Sequence, residues 1–295
     1  MSTVSVAVPR KGRPLEAVLE RVASRGGDAE LADEVISTLR YEKAVTKGRQ
    51  RPEGSVYDRL ETYSDTDGGP EYTLLRDGRE GFPRRIVFDA CTFAIDGHEV
   101  RLVGREEPFR ALRKHEFALG FDSADLVLEE VVGLRPEPLE SLAEVNERID
   151  PRDTDVRVVG GLGDTVHHTL LATPEVADGP LDRSFVAGYE GPFCISPRYE
   201  RLVEAVLGTD ALDGITFAYP SADHAEEEAA VADAGLGAYL TVTGGTARDH
   251  GLVVGERLFP SETVLLENAH EMGGSTRRVA DVLVESVETA IAPST

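Results

Sequence analysis

VSVAVPRKGRPLEAVLERV, residues 4–22, decides the fold class. Val4–Val8 is a short apolar run with the composition of a buried strand, and Pro9 and Gly12 break it. Leu15, Val18, Leu19 and Val22 then recur at i, i+3, i+4 and i+7, which is one face of a helix. Strand, tight turn and amphipathic helix form the opening of an α/β domain.

The alternation continues along the chain. Ile86–Ile95 and Val100–Val103 read as strands around an Asp96-Gly97 turn. Further strands are predicted at 117–121, 156–159, 167–173, 191–196, 215–219, 238–243, 253–259 and 263–267. Helices are predicted at 28–39, 106–115, 123–131, 197–207, 223–234 and 276–291. This pattern predicts two lobes with mostly parallel sheets and helices on both faces. One lobe holds residues 1–163 with 258–295 returning to it, and the other holds 164–257. Residues 44–81 are rich in Gly, Arg, Asp, Glu and Tyr with little period, and read as an inserted long loop with short strands, a lid or excursion. Residues 133–153 read as a helix between proline-bearing linkers.

Composition narrows the partners. Of 295 residues, 54 are Asp or Glu against 31 Lys or Arg, so the net charge is −23. Such a surface repels nucleic acid and anionic lipid except where cations are concentrated locally. Lys11, Lys43, Lys47 and Lys114 are the only lysines, so almost all positive charge is Arg. Dense carboxylates suit a salty cytoplasm, where screening relieves self-repulsion; an Arg-preferring genome and a merely acidic protein account for the same numbers. Cys91 and Cys194 have no metal or redox spacing. The first residues lack the long apolar run of a signal peptide, and no stretch approaches the roughly 18 apolar residues of a membrane span. A cytoplasmic protein is expected.

Three segments carry candidate chemistry. Tyr239–Arg248 reads YLTVTGGTAR, an apolar strand running into Thr243-Gly244-Gly245-Thr246. Two glycines permit a tight turn that exposes successive N–H groups, and two hydroxyls add donors, which suits a phosphate; a turn that needs Gly for geometry alone reads the same way. Arg10, Lys11 and Arg13 follow the first strand, where open α/β sheets place ligands, and Arg105 follows another. Solvated loop charges are the plainer reading. Gly160–Gly163 reads as a crossing between lobes, His167-His168 as a structural or surface pair, and Glu226–Glu228 as a solvated helix face. No nucleophile elbow, Walker loop or zinc spacing occurs.

On these residues the chain resembles the ATP phosphoribosyltransferase family, the first enzyme of histidine biosynthesis. Val6–Pro9 with Lys11-Gly12-Arg13 is similar to that family's opening AVPKGR, with Arg10 extra. REEPFRALRKHEFALGFDSADLVLE (Arg105–Glu129) resembles its second conserved segment. Glu226–Leu252, ending TGGTARDHGL, followed by TVLLEN (Thr263–Asn268), resembles its phosphoribosyl loop and closing strands. The resemblance implies a two-lobed fold of the type 2 periplasmic-binding-protein kind. It implies binding of phosphoribosyl pyrophosphate with Mg²⁺ and transfer to N1 of ATP's adenine. By position, Thr243, Gly244, Gly245 and Thr246 would hold the 5-phosphate, and Lys11, Arg13 and Arg105 would face nucleotide or pyrophosphate. Glu226 would match an acidic residue upstream. The resemblance assigns no catalytic residue and no protein-held metal. A homo-oligomer without the long form's regulatory domain is expected. One departure stands out: the family's Asp four residues before the loop's first Thr is Tyr239 here. A non-catalytic or regulatory relative binding a phosphorylated metabolite, and an enzyme of other chemistry on this fold, therefore stay open.

Overall fold

The computed structural model describes residues 3–66, 68–76, 84–164, 166–177, 179–221 and 226–284. Among them the strands are β1 (Val4–Pro9), β2 (Glu71–Arg76), β3 (Arg84–Ile95), β4 (His98–Arg105), β5 (Leu119–Ser123), β6 (Val156–Gly161), β7 (Val166–Ala172), β8 (Gly191–Cys194), β9 (Ile215–Ala218), β10 (Leu236–Thr241), β11 (Val253–Ser261) and β12 (Thr263–Asn268). They form a seven-stranded sheet, β2-β3-β4-β1-β5-β12-β6, and a five-stranded sheet, β11-β7-β10-β8-β9.

The class is α/β as expected, but the strand directions are mixed. β1 runs parallel to β4 and β5, and β8 parallel to β9 and β10. The pairs β2–β3, β3–β4, β6–β12, β7–β10 and β7–β11 are antiparallel. Helix–strand alternation sets the type of element, whereas hairpins and long returns set strand direction.

Two compact units result. The first runs to Asp122 and adds Asp155–Leu162 and the segment from Thr263; the second comprises Ser123–Thr154 and Gly163–Glu262. The expected boundaries kept 123–154 with the first lobe and 258–262 with the returning segment, so both differ. The change between Leu162 and Gly163 falls within the Gly160–Gly163 run, and Gly163 takes a left-handed φ of 75°.

In the first unit, the helix Arg13–Ser24 buries Leu15, Val18, Leu19 and Val22, the four residues its period singled out. They pack with Val6, Val8, Phe88, Phe93, Leu102 and Phe121 of the sheet. Asp96 and Gly97 both have positive φ, the conformation that joins β3 to β4 through a two-residue hairpin.

Residues 44–81 are not a long loop. The helix Ala29–Thr46, capped by Asp28, runs well past Leu39. Val56–Tyr63 is a second helix, closed by a reciprocal capping box between Ser55 and Asp58. β2 then pairs with β3; residues 77–81 lie outside the described residues. Buried Glu42 and Arg59 join the two helices, with Nε and Nη2 of Arg59 donating to the carboxylate at 2.7 and 3.0 Å. The closing helix spans Gly274–Leu283 and the helix preceding β10 spans Glu227–Ala234. Residues 285–291 and 223–225 of the two predicted helices lie outside the described residues. Among the described residues no helix is long and apolar enough to cross a membrane.

Candidate phosphate-binding loop and cation cluster

In the second unit, β10 lies between β7 and β8 and carries the chain into Val242-Thr243-Gly244-Gly245-Thr246. Gly244 is buried and left-handed, with φ 69°, and a Cβ there would stand 2.9 Å from Val254 Cγ2. Only glycine fits without strain. A short helix, Gly245–Asp249, follows. Its Ala247 packs with Leu252, Leu171 and Val231 in the core, while Thr243, Gly245 and Thr246 stay exposed. The N-cap residue, Gly244, offers no side chain to cap the helix. Among the described residues the Gly245 N–H donates to Thr243 Oγ1, at 3.4 Å. Arg248 braces the loop: its Nη1 donates to Thr243 O at 2.9 Å. Its charge is thus used to hold the turn.

Glu226 accompanies this loop through a residue that sequence reading missed. Its Oε2 lies 2.7 Å from His250 Nε2, and the His250 N–H donates to Thr246 O at 3.1 Å. The two side chains are 24 positions apart, and no local spacing signals the pair. Tyr239, on β10, is half-buried. Burial, with Glu227 and Glu228 beside it, pushes its phenol up to about 12, so it is neutral under physiological conditions. The carboxylate absent from the strand thus has two neighbours at the start of the helix Glu227–Ala234.

The histidine pair divides between two environments. His168 is buried, with Nε2 3.2 Å from Asp125 Oδ2, and Ser261 Oγ donates to the same oxygen at 2.8 Å. Its ring also packs on Tyr199 at 4.6 Å. These contacts make His168 a core residue. His167 is partly buried, and burial followed by Arg257 and His168 holds its pKa below the usual histidine value.

In the first unit, Pro9 stands opposite Arg105 in the parallel β1–β4 pair, so the ends of both strands present cations together. Arg10 pairs with Asp89 at 3.3 Å and, more loosely, with Glu106. Lys11 lies 3.8 Å from Glu106. Arg105 stacks over Phe117, with its guanidinium carbon 4.8 Å from the ring centre. Arg13 is the half-buried first residue of its helix. Lys11, Arg13 and Arg105 therefore belong to one end of the first unit, and Thr243–Thr246 with Glu226 to one end of the second. Among the described residues no group of three or more His, Cys, Asp or Glu is arranged to hold a metal.

A profile of the halobacterial ATP phosphoribosyltransferase family matches residues 1–293. The chain belongs to that family. A search of curated proteins finds no significant match. Among solved structures the chain is similar to the ATP phosphoribosyl transferase HisG:HisZ complex from Thermotoga maritima, at 14% identity and a TM-score of 0.43, over 95% of this chain and 94% of that one. It is also similar to YhfZ from Shigella flexneri, at 10% identity and a TM-score of 0.46, over 97% and 86%. The match extends the three segments read above over residues 1–293, the helices Ala29–Thr46 and Val56–Tyr63 included.

Proposed function

We propose that this ATP phosphoribosyltransferase-family protein transfers the phosphoribosyl group of phosphoribosyl pyrophosphate to N1 of ATP, the first step of histidine biosynthesis. The observation that carries the reading is the full-length family match together with an exposed Thr243–Thr246 turn that only glycine can make at 244. In the reaction the bond from ribose C1 to pyrophosphate breaks, a bond from C1 to adenine N1 forms, and pyrophosphate leaves. The chain's contribution on this reading is positioning and charge. Thr243 and Thr246 hydroxyls and the loop amides hold the 5-phosphate, while Lys11, Arg13 and Arg105 attract nucleotide or pyrophosphate oxygens. Mg²⁺ belongs to the proposal as the pyrophosphate's counter-ion, held largely by the substrate's own phosphate oxygens; Glu226 is assigned to phosphoribosyl pyrophosphate and not to the metal. The −23 charge is read as adaptation to a salt-rich cytoplasm.

The test is pyrophosphate release by the full chain with phosphoribosyl pyrophosphate, ATP and Mg²⁺. Release dependent on both substrates is expected. In the same buffer phosphoribosyl pyrophosphate should raise Tm, because a ligand at a hundred times its Kd adds about 2.7 kcal/mol to stability. The absence of both release and a Tm shift at millimolar substrate would sink the proposal.

Tyr239 favours a second reading, a non-catalytic relative that binds a phosphorylated metabolite in the same loop. A neutral phenol does not offset positive charge developing at C1. Ligand-induced stabilisation without release of pyrophosphate for any nitrogen base would select it. Tyr239→Asp discriminates further. The new carboxyl would stand beside Glu227 and Glu228, and like charges would raise its pKa. Any gain in rate is therefore expected to grow as the pH rises and the carboxyl ionises; a variant no faster than its parent at any pH favours the non-catalytic reading.

A further inference from the structure

We propose that the first unit carries a further site for a small phosphorylated compound, built from Lys43, Lys47 and Arg85 and sharing Lys11 with the cations assigned above to nucleotide or pyrophosphate. These four residues line one cavity of about 200 Å³, whose apolar wall includes Leu39 and Ile86. Three of the chain's four lysines thus border a single cavity in a protein that otherwise uses arginine almost throughout. They come from different parts of the fold: Lys11 from the turn after β1, Lys43 from the last turn of the helix Ala29–Thr46, Lys47 from the residue that caps its C-terminus, and Arg85 from β3.

Two carboxylates also border the cavity, and both are engaged. Glu16 receives Arg40 at 2.6 Å, and Glu42 is gripped by Arg59. Among the described residues neither Lys43 nor Lys47 has a carboxylate within ion-pair distance. Both are exposed and stand one helical turn apart, where like charges repel by a few tenths of a kcal/mol. The negative end of the helix dipole offsets part of that repulsion. An anion seated between them and Lys11 offsets the rest. In a chain of −23, capture of an anion demands this sort of local concentration of cations. The volume suits a phosphoryl group with a small organic body, a sugar phosphate in class, with the phosphoryl among the ammonium groups and the body on Leu39 and Ile86. The family resemblance concerns Lys11 alone of these four, and the site does not depend on the phosphoribosyl reading.

The rarity of lysine supplies the test. Reductive ¹³C-methylation labels Lys11, Lys43, Lys47, Lys114 and the terminal amine of the full chain, and single Lys→Arg variants assign the signals. Titration with ribose 5-phosphate should move Lys43, Lys47 and Lys11 along one saturation curve while Lys114 stays still. The same shifts should persist in Thr246→Val, which separates this site from the loop. In that background, Lys43→Gln with Lys47→Gln should weaken calorimetric binding by about tenfold or more, with an unchanged circular dichroism spectrum. The proposal is overturned if no saturable shift appears at millimolar probe, if all the lysine signals drift together, or if the double variant binds as tightly as its parent. Lysines that serve only the helix end would give the first of these results.

Discussion

Glu42→Ala is expected to lower the unfolding free energy by roughly 3–5 kcal/mol, the range for removing one partner of a buried ion pair. Glu42 is 3% exposed and Arg59 8%. The guanidinium has two bonds to the carboxylate and only a long one, 3.3 Å, to Gly54 O. Tyr63 adds its hydroxyl to the same carboxylate at 3.2 Å, and burial with the adjacent charge pushes that phenol up to about 12. Removing the acceptor leaves a largely buried charge that cannot neutralise itself, because arginine does not deprotonate at accessible pH. The pair Glu42→Leu with Arg59→Met should lose much less, since apolar replacements of both partners remove the desolvation penalty along with the attraction. Urea unfolding followed by tyrosine fluorescence measures both; the chain has eight Tyr and no Trp. A loss of under about 1 kcal/mol in Glu42→Ala, as for an exposed pair, would mean that the two helices are held together by something else.

That pair also explains why the insertion was illegible. The helix Ala29–Thr46 looks finished at Leu39 because its next inward position is Glu42, a charge where the period requires an apolar side chain. The helix Val56–Tyr63 likewise turns Arg59 inward. Hydrophobic periodicity assumes that buried means apolar, and a mutually neutralising pair violates the assumption from both sides. A signal existed nonetheless: Ser55-x-x-Asp58 is a capping box, and it marks the second helix without any apolar pattern. By contrast, the helix Arg13–Ser24 was readable to the residue, since all four of its buried positions are aliphatic. Strand direction was less accessible. β7 pairs antiparallel with both β10 and β11, a choice made by partners about 70 or more residues away. The chain's first passage between units, at Asp122–Ser123, falls at the last residue of β5, with no Gly or Pro at the junction to mark it.

The candidate loop was legible for a different reason. Thr243–Thr246 owes its shape to Gly244, and a glycine that must be left-handed is visible as a residue type. Its supports were not. Arg248 reaches back five positions to a carbonyl, and His250 reaches Glu226 across 24, so each depends on where Ala247 is seated in the core. Sequence gives the residues that shape a turn more readily than those that brace it.

Thr246→Val should therefore separate shape from contact. Thr246 is exposed and valine keeps its volume and β-branching, so the fold is expected to survive intact. What is lost is a hydroxyl donor to an anionic oxygen, worth roughly 1.5–3 kcal/mol, or about 10- to 150-fold in the Kd for phosphoribosyl pyrophosphate with Mg²⁺ by calorimetry. Gly244→Ala reaches the same loop from the other side. It leaves every donor in place but asks an L-residue to hold φ 69° with its Cβ against Val254, so the turn must move and affinity should fall at least as far. If both variants bind as tightly as the parent, the ligand does not touch this turn, and the phosphate contact must be sought elsewhere in the second unit. If only Gly244→Ala weakens binding, the amides and not the hydroxyl carry the phosphate, because backbone donors move with the turn whereas a Thr hydroxyl can be removed without moving it.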